Sequence, residues 1–150
     1  MSWQPIITQH EADAFMHLVG DFHDGCVRET HLWTEHYVAD DLAMGVGVGA
    51  DARMRVLLQR QFRPFSAIEL LFEEVVHINW ASSPDNCMSI ITEATLLVRE
   101  DAIYWVDSAP WIPDQPDSNT STWISARRLC WRDASDWMGK QLRYGPPEVE

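Results

Sequence analysis

The chain has 150 residues, 46% of them hydrophobic, and its 23 acidic against 11 basic side chains give a formal net charge of −12. That charge repels nucleic-acid phosphates and anionic membrane surfaces, and no segment approaches the ~18 consecutive apolar residues of a membrane span, so neither class of partner is expected. The length fits one domain, residues 1–150, able to bury roughly 70% of its unfolded surface without disulfides or a metal.

The opening Met1-Ser2-Trp3-Gln4-Pro5 has neither the basic stretch nor the apolar run of a secretory signal. Cys26, Cys87 and Cys130 are odd in number and far apart, which favours reduced thiols. A cytoplasmic protein is the expectation. Thr8-Gln9-His10-Glu11 is a capping-box pattern with Ile7 and Ala12 placed as a staple, and Phe15, Leu18, Val19 and Phe22 recur at helical spacing. The spacing predicts a helix over residues 9–20.

After Asp24-Gly25 the pattern becomes extended, with strands predicted over residues 26–34, 42–49, 53–62, 67–80, 88–99, 103–107 and 121–132. Short links around Asp51 and Glu100-Asp101 suit hairpins, and Ser82-Ser83-Pro84-Asp85-Asn86 is a turn cluster. A short helix is predicted from Ala134 to Met138, with Gly139 as its stop. The fold class is α+β: an N-terminal helix packed on a strongly curved antiparallel sheet or open barrel of about seven strands.

Within that frame, residues 44–49 read Met-Gly-Val-Gly-Val-Gly, which puts Leu42, Met44, Val46 and Val48 on one strand face and Gly45, Gly47 and Gly49 on the other. Glycine weakens a strand interior, so a helix, a large ring or a ligand is expected close against the glycine face. Glu74 stands alone among apolar even positions, which signals a bulge, a strand end or a buried carboxylate. Arg53, Arg55, Arg60 and Arg63, with Arg127, Arg128 and Arg132, are placed to pair with acids across antiparallel neighbours.

Catalytic signatures are scarce. The glycines lack the G-x-G-x-x-G spacing, no Walker loop or G-x-S-x-G elbow exists, and Lys140 is the only lysine. Five of the six histidines fall in the first quarter of the chain, and His23, Asp24, Glu29 and His31 offer nitrogen and oxygen donors for a metal, although their spacing fits no established signature. Eight tryptophans suit core or barrel packing. Trp111 differs, since it lies in the proline-stiffened run Ala109-Pro110-Trp111-Ile112-Pro113-Asp114-Gln115-Pro116, where Trp and Ile either serve as an interface anchor or pack back over a sheet edge.

Residues 18–29, containing Phe22-His23-Asp24-Gly25-Cys26-Val27-Arg28-Glu29, resemble the helix-to-strand opening of several small bacterial families, immunity-type proteins among them. The resemblance spans about a dozen residues and implies that Phe22 closes the helix against the sheet while His23 and Asp24 hydrogen-bond the turn. The leading expectation is a non-enzymatic bacterial binding protein, such as an immunity-type inhibitor, whose acidic surface takes a basic protein partner. Its interface residues would be Trp111 and Ile112, rimmed by Asp114 and Asp117, and it would need no cofactor. Two alternatives are a small-ligand-binding barrel and a metal-dependent enzyme using His23, Asp24, Glu29 and His31. An unpaired edge strand would also allow a homodimer.

Overall fold

A computed structural model describes residues 2–49, 51–83 and 89–145. Cys87, part of the turn cluster (Pro84, Asp85 and Asn86) and the start of the strand expected at Met88 lie outside these residues. Strand β1 (Gln4–Ile6) comes first, followed by helix α1 (Gln9–Leu18). The remaining strands in chain order are β2 (Gly25–Trp33), β3 (Tyr37–Val38), β4 (Met44–Gly45), β5 (Arg53–Arg60), β6 (Ala67–Asn79), β7 (Thr95–Val98), β8 (Ile103–Val106) and β9 (Trp123–Asp133).

The capping box starts α1. The Thr8 hydroxyl accepts the Glu11 amide at 3.1 Å, and the Glu11 carboxylate accepts the amides of Ile7 and Thr8, which hold that carboxyl below its usual range. The staple does not form, because Ile7 stays exposed while Ala12 is fully buried. The helix stops at Leu18, short of the expected Gly20, because Gly20, Asp21 and Phe22 all take positive φ and tighten the chain into a single 3₁₀ turn.

Seven strands form one antiparallel sheet in the order β2-β5-β6-β9-β8-β7, with β1 also paired to β9. One edge of β9 is shared: its start pairs with β8 and its later part with β1. The sheet curls without closing into a barrel. Among the described residues its two ends meet where the Asp24 amide donates to the Ile91 carbonyl at 2.9 Å and the Ile91 amide to the Gly25 carbonyl at 2.8 Å.

One face of the sheet is the core. Met54, Val56 and Leu58 of β5, Ile68, Leu70 and Phe72 of β6, Trp105 of β8 and Ile124 and Leu129 of β9 pack under Ala12, Phe15 and Met16 of the helix and Val19 at its C-cap. Phe22 is fully buried beside Phe15 and Trp105, with ring centroids at 5.8 and 6.1 Å, so it seals the helix-to-sheet junction. No helix among the described residues is long and apolar enough to cross a membrane.

Three predicted elements differ. The strand expected over residues 88–99 is ordered as a ladder only at Thr95–Val98, since the chain before it bends back to meet Gly25. Residues 134–138 form a turn closed by Trp137 donating to the Ala134 carbonyl at 2.7 Å, and not a helix. The strand expected over residues 42–49 is not part of the main sheet: only Met44–Gly45 is extended, paired with Tyr37–Val38 in a separate two-stranded arm.

Phe15→Ala should lower unfolding free energy by about 3–5 kcal/mol and Thr8→Ala by about 1 kcal/mol, both read from urea denaturation midpoints at unchanged slope.

Candidate functional site

The arm joins β2 to β5, and its shape follows from the glycines. A Cβ on Gly45 would fall 2.4 Å from the Tyr37 ring, and one on Gly47 would fall 1.9 Å from the Asp51 carboxylate. The large ring expected against the glycine face is therefore present at Gly45, as Tyr37 of the arm itself; Gly47 faces Asp51, Gly49 has no close neighbour, and α1 does not approach any of the three. At the base, Asp51 accepts the Glu35 amide at 3.2 Å and lies 3.3 Å from His36, whose Nδ1 accepts the Gly47 amide at 3.1 Å. At the tip, Leu42 donates to the Ala39 carbonyl with φ of 71°, and Asp41 accepts the Ala43 amide.

This polar framework turns the apolar set outward. Val48 is 97% exposed and Leu42 83%, and Tyr37, Val38, Met44 and Val46 are also open to solvent. Isolated exposed apolar residues are ordinary, but six on one short arm, with Val38 opposite Met44 on one face and Tyr37 on the glycine face, are a concentration of the kind that marks an interaction surface.

The outer sheet face, opposite α1, is charged. Arg53 meets Glu35 and Glu73, and Arg128 meets Glu73 and Glu74, so these arginines pair with acids as their spacing predicted. Glu69 is fully buried, which the sequence reading missed. Its Oε1 takes Nε and Nη2 of Arg132 at 2.7 and 2.6 Å, and its Oε2 accepts the Tyr144 hydroxyl. Arg132 lies over the rings of Trp3 and Trp137, at 4.4 and 5.0 Å.

Burial and the neighbouring Glu69 push the Tyr144 phenol far above its ordinary value, so it stays a donor. Glu29 accepts the amides of Arg143 and Tyr144, and Gln59 donates to the carbonyls of Trp137 and Gly139. Together these contacts strap residues 137–144 across the outer face. Every charged member has a partner, so the network reads as a clamp on the chain end.

The four groups proposed for a metal are not brought together. His23 Nδ1 donates to the Thr92 carbonyl at 2.8 Å and its Nε2 lies 3.4 Å from Asp24, at the helix-to-sheet junction. Glu29 is engaged by the chain end, and His31 lies against Trp33 and Tyr144 on the outer face. Among the described residues no three His, Cys, Asp or Glu side chains are grouped to hold a metal ion.

Of the two readings of the proline-rich loop, Trp111 follows the one in which it packs back onto the sheet. The Trp111 ring is buried against Tyr104 and Trp123, with centroids at 5.7 and 5.4 Å, and its N–H donates to the Ser118 carbonyl at 2.9 Å. Ile112, Asp114 and Asp117 are left to face solvent. Trp111 fastens the loop from within, and only Ile112 is free to serve as an apolar anchor there.

A cleft of about 340 Å³ lies where the sheet fails to close. Its walls are Val27 of β2, Trp80 past the end of β6, Ile90 and Ile91 before β7, and Asp107 and Thr122 at the facing ends of β8 and β9. Asp107 Oδ1 accepts the Thr122 amide at 3.1 Å, while burial raises the carboxyl above its ordinary range. No protein-family model matches the chain, and no curated protein or solved structure matches it either.

Because Asp107 binds its proton more tightly in the folded chain than in the unfolded one, its ionisation opposes folding at neutral pH. Asp107→Asn should therefore be more stable than the parent at pH 7. Its advantage should shrink as pH falls through the folded and then the ordinary aspartate range, as followed by thermal melts across pH. Tyr144→Phe should cost about 1–3 kcal/mol by leaving buried Glu69 short of a donor, and should speed amide exchange at Arg143 and Tyr144.

Proposed function

We propose that this chain is a non-enzymatic protein-binding module whose arm, residues 35–52, seats its apolar side in a cleft of a basic protein partner. The observation that supports this most is the exposure of Val38, Leu42, Met44, Val46 and Val48, with Tyr37 on the glycine face, on a hairpin already fixed by its own polar base. A pre-ordered arm loses little conformational freedom on docking.

Charge supports the sign of the partner. Residues 35–52 carry Glu35, Asp40, Asp41 and Asp51 and neither lysine nor arginine, within a chain of net charge −12. A cationic rim around an apolar cleft complements that combination and would speed encounter. An immunity-type inhibitor in a bacterial cytoplasm is the class of protein this reading favours, in keeping with Cys26 and Cys130 as free thiols. Ile112, Asp114 and Asp117, held up by the buried Trp111, offer a second, smaller contact of the same character.

The test is affinity capture with the intact chain from its native host, with identification and stoichiometry of what is retained, repeated for Leu42→Asp with Val48→Asp. A stoichiometric basic protein held by the parent and bound at least about tenfold more weakly by the double variant is the expected result, since each buried aliphatic side chain is worth about 1.5–3 kcal/mol. A complex indifferent to both substitutions would remove the arm from the interface. Light scattering covers the remaining occupant: a dimer of this chain abolished by the double variant would make the arm a self-association element.

A further inference from the structure

The cleft between β2 and the ends of β6, β8 and β9 is separate from the arm, and its composition is selective. Among the described residues Asp107 is the one ionisable side chain on its walls; the rest are serine, threonine, alanine and large apolar groups. Thr122 is committed elsewhere, since its hydroxyl accepts the Ala81 amide at 2.9 Å and donates to the Ala81 carbonyl. Asp107 is less fully used. The Thr122 amide is the donor that reaches its carboxylate, its own amide being given to the Thr122 carbonyl at 3.0 Å, and no cationic group neighbours it among the described residues.

Two large side chains at the same opening face solvent. Trp80 is 60% exposed and Ile90 is nearly half exposed, whereas Val27 and Ile91 form more sheltered wall. An aromatic face beside a half-buried carboxylate attracts a cation carrying an apolar body, because the ring quadrupole and the formal charge act in the same direction. An anion finds no positive side chain in the cleft and meets the field of a strongly acidic chain. The volume falls at the lower end of small-molecule sites.

We infer that this cleft is a binding site for a small organic ammonium compound, with Asp107 accepting its N–H groups, Trp80 covering the charge from the rim, and Val27, Ile90 and Ile91 receiving its apolar part. The filled core beneath, where Trp105 and Phe22 are fully buried, keeps such a ligand at the sheet opening and out of the interior. Proton release accompanies binding at pH values where Asp107 is partly protonated, since the ammonium group favours the carboxylate.

Benzylamine, benzyl alcohol and benzoate serve as probes of equal size and different charge, followed by saturation-transfer NMR and calorimetric titration of the full chain. Benzylamine should bind saturably while the other two do not compete with it. Asp107→Asn, which keeps an acceptor for the Thr122 amide, should weaken benzylamine about tenfold or more, the size of a charged hydrogen bond. Trp80→Ala, at an exposed position, should weaken it by about two- to fivefold, the size of an exposed cation–π contact. Absence of saturable benzylamine binding, equal binding of benzoate, or unchanged affinity in a folded Asp107→Asn chain would each overturn the assignment.

Discussion

The break in β6 governs how the rest of the molecule is arranged. Up to Phe72 the strand points Ile68, Leu70 and Phe72 into the core; then Glu74 takes a φ of 53° and the pairing with β9 shifts register between Val75 and His77. Past Glu74 the residues packed against the core are Val75 and Ile78, one on each side of the register shift, so the inward phase changes at Glu74 and again at the bulge. A bulge adds twist and bends its strand, and here it lets a 13-residue strand follow a curved sheet while staying paired to β9. Val76 is turned outward by the same change, and His77 stacks on Trp123 at 4.3 Å. The bent strand ends beside Trp80, and this gives the cleft its far wall.

The two faces of the sheet solve different problems. The inner face gains stability from apolar burial under α1, the dominant favourable contribution in a domain of this size. The outer face has no second layer and uses charge pairing over β5, β6 and β9, with the chain end as a partial cover. Glu69 is the exception on that face, fully buried beneath Tyr144 and beside Leu57, Ala67 and Trp137. A buried ion pair adds little net stability because desolvation offsets attraction, but breaking it is costly. Its effect is positional: Glu69, Glu29 and Gln59 together hold residues 137–144 against the outer face.

Much of the fold was legible because it rests on local signals. Thr8 and Glu11 announce the helix start, and the β-branched and aromatic runs from Arg53 and Ala67 announce the two long strands; each observed element begins where its pattern does. Glu74 was legible as a break in alternation. The arm was not, because alternating Met, Val and Gly has the period of a sheet strand whether or not a sheet is beside it, and what decides the matter is the presence of partners far along the chain. Glu69 was hidden for a related reason: an acid on an outward strand face looks solvated until a distant segment, here Tyr144, folds over it. Trp111 was legible only as a choice, since a proline-stiffened loop presents its ring outward only if the ring finds no pocket, and Tyr104 with Trp123 supplies one. Nothing in the sequence joins Asp107 to Trp80 and Ile91; sheet curvature alone does that.

Six exposed apolar side chains on the arm set a limit on how the chain can bind. Burying most of them would release on the order of 10 kcal/mol at the usual gain per aliphatic side chain. Association itself costs about 4–15 kcal/mol in lost translational and rotational freedom. The arm alone therefore supports weak adhesion, which explains how a patch of this kind can be tolerated on a free chain. Tight binding requires further contributions, and the acids flanking the arm supply one that is selective by sign, attracting basic surfaces and repelling a second acidic copy. Apolar contact would then provide the holding energy and charge the choice of partner, with Asp40 and Asp41 at the tip placed to meet the partner first.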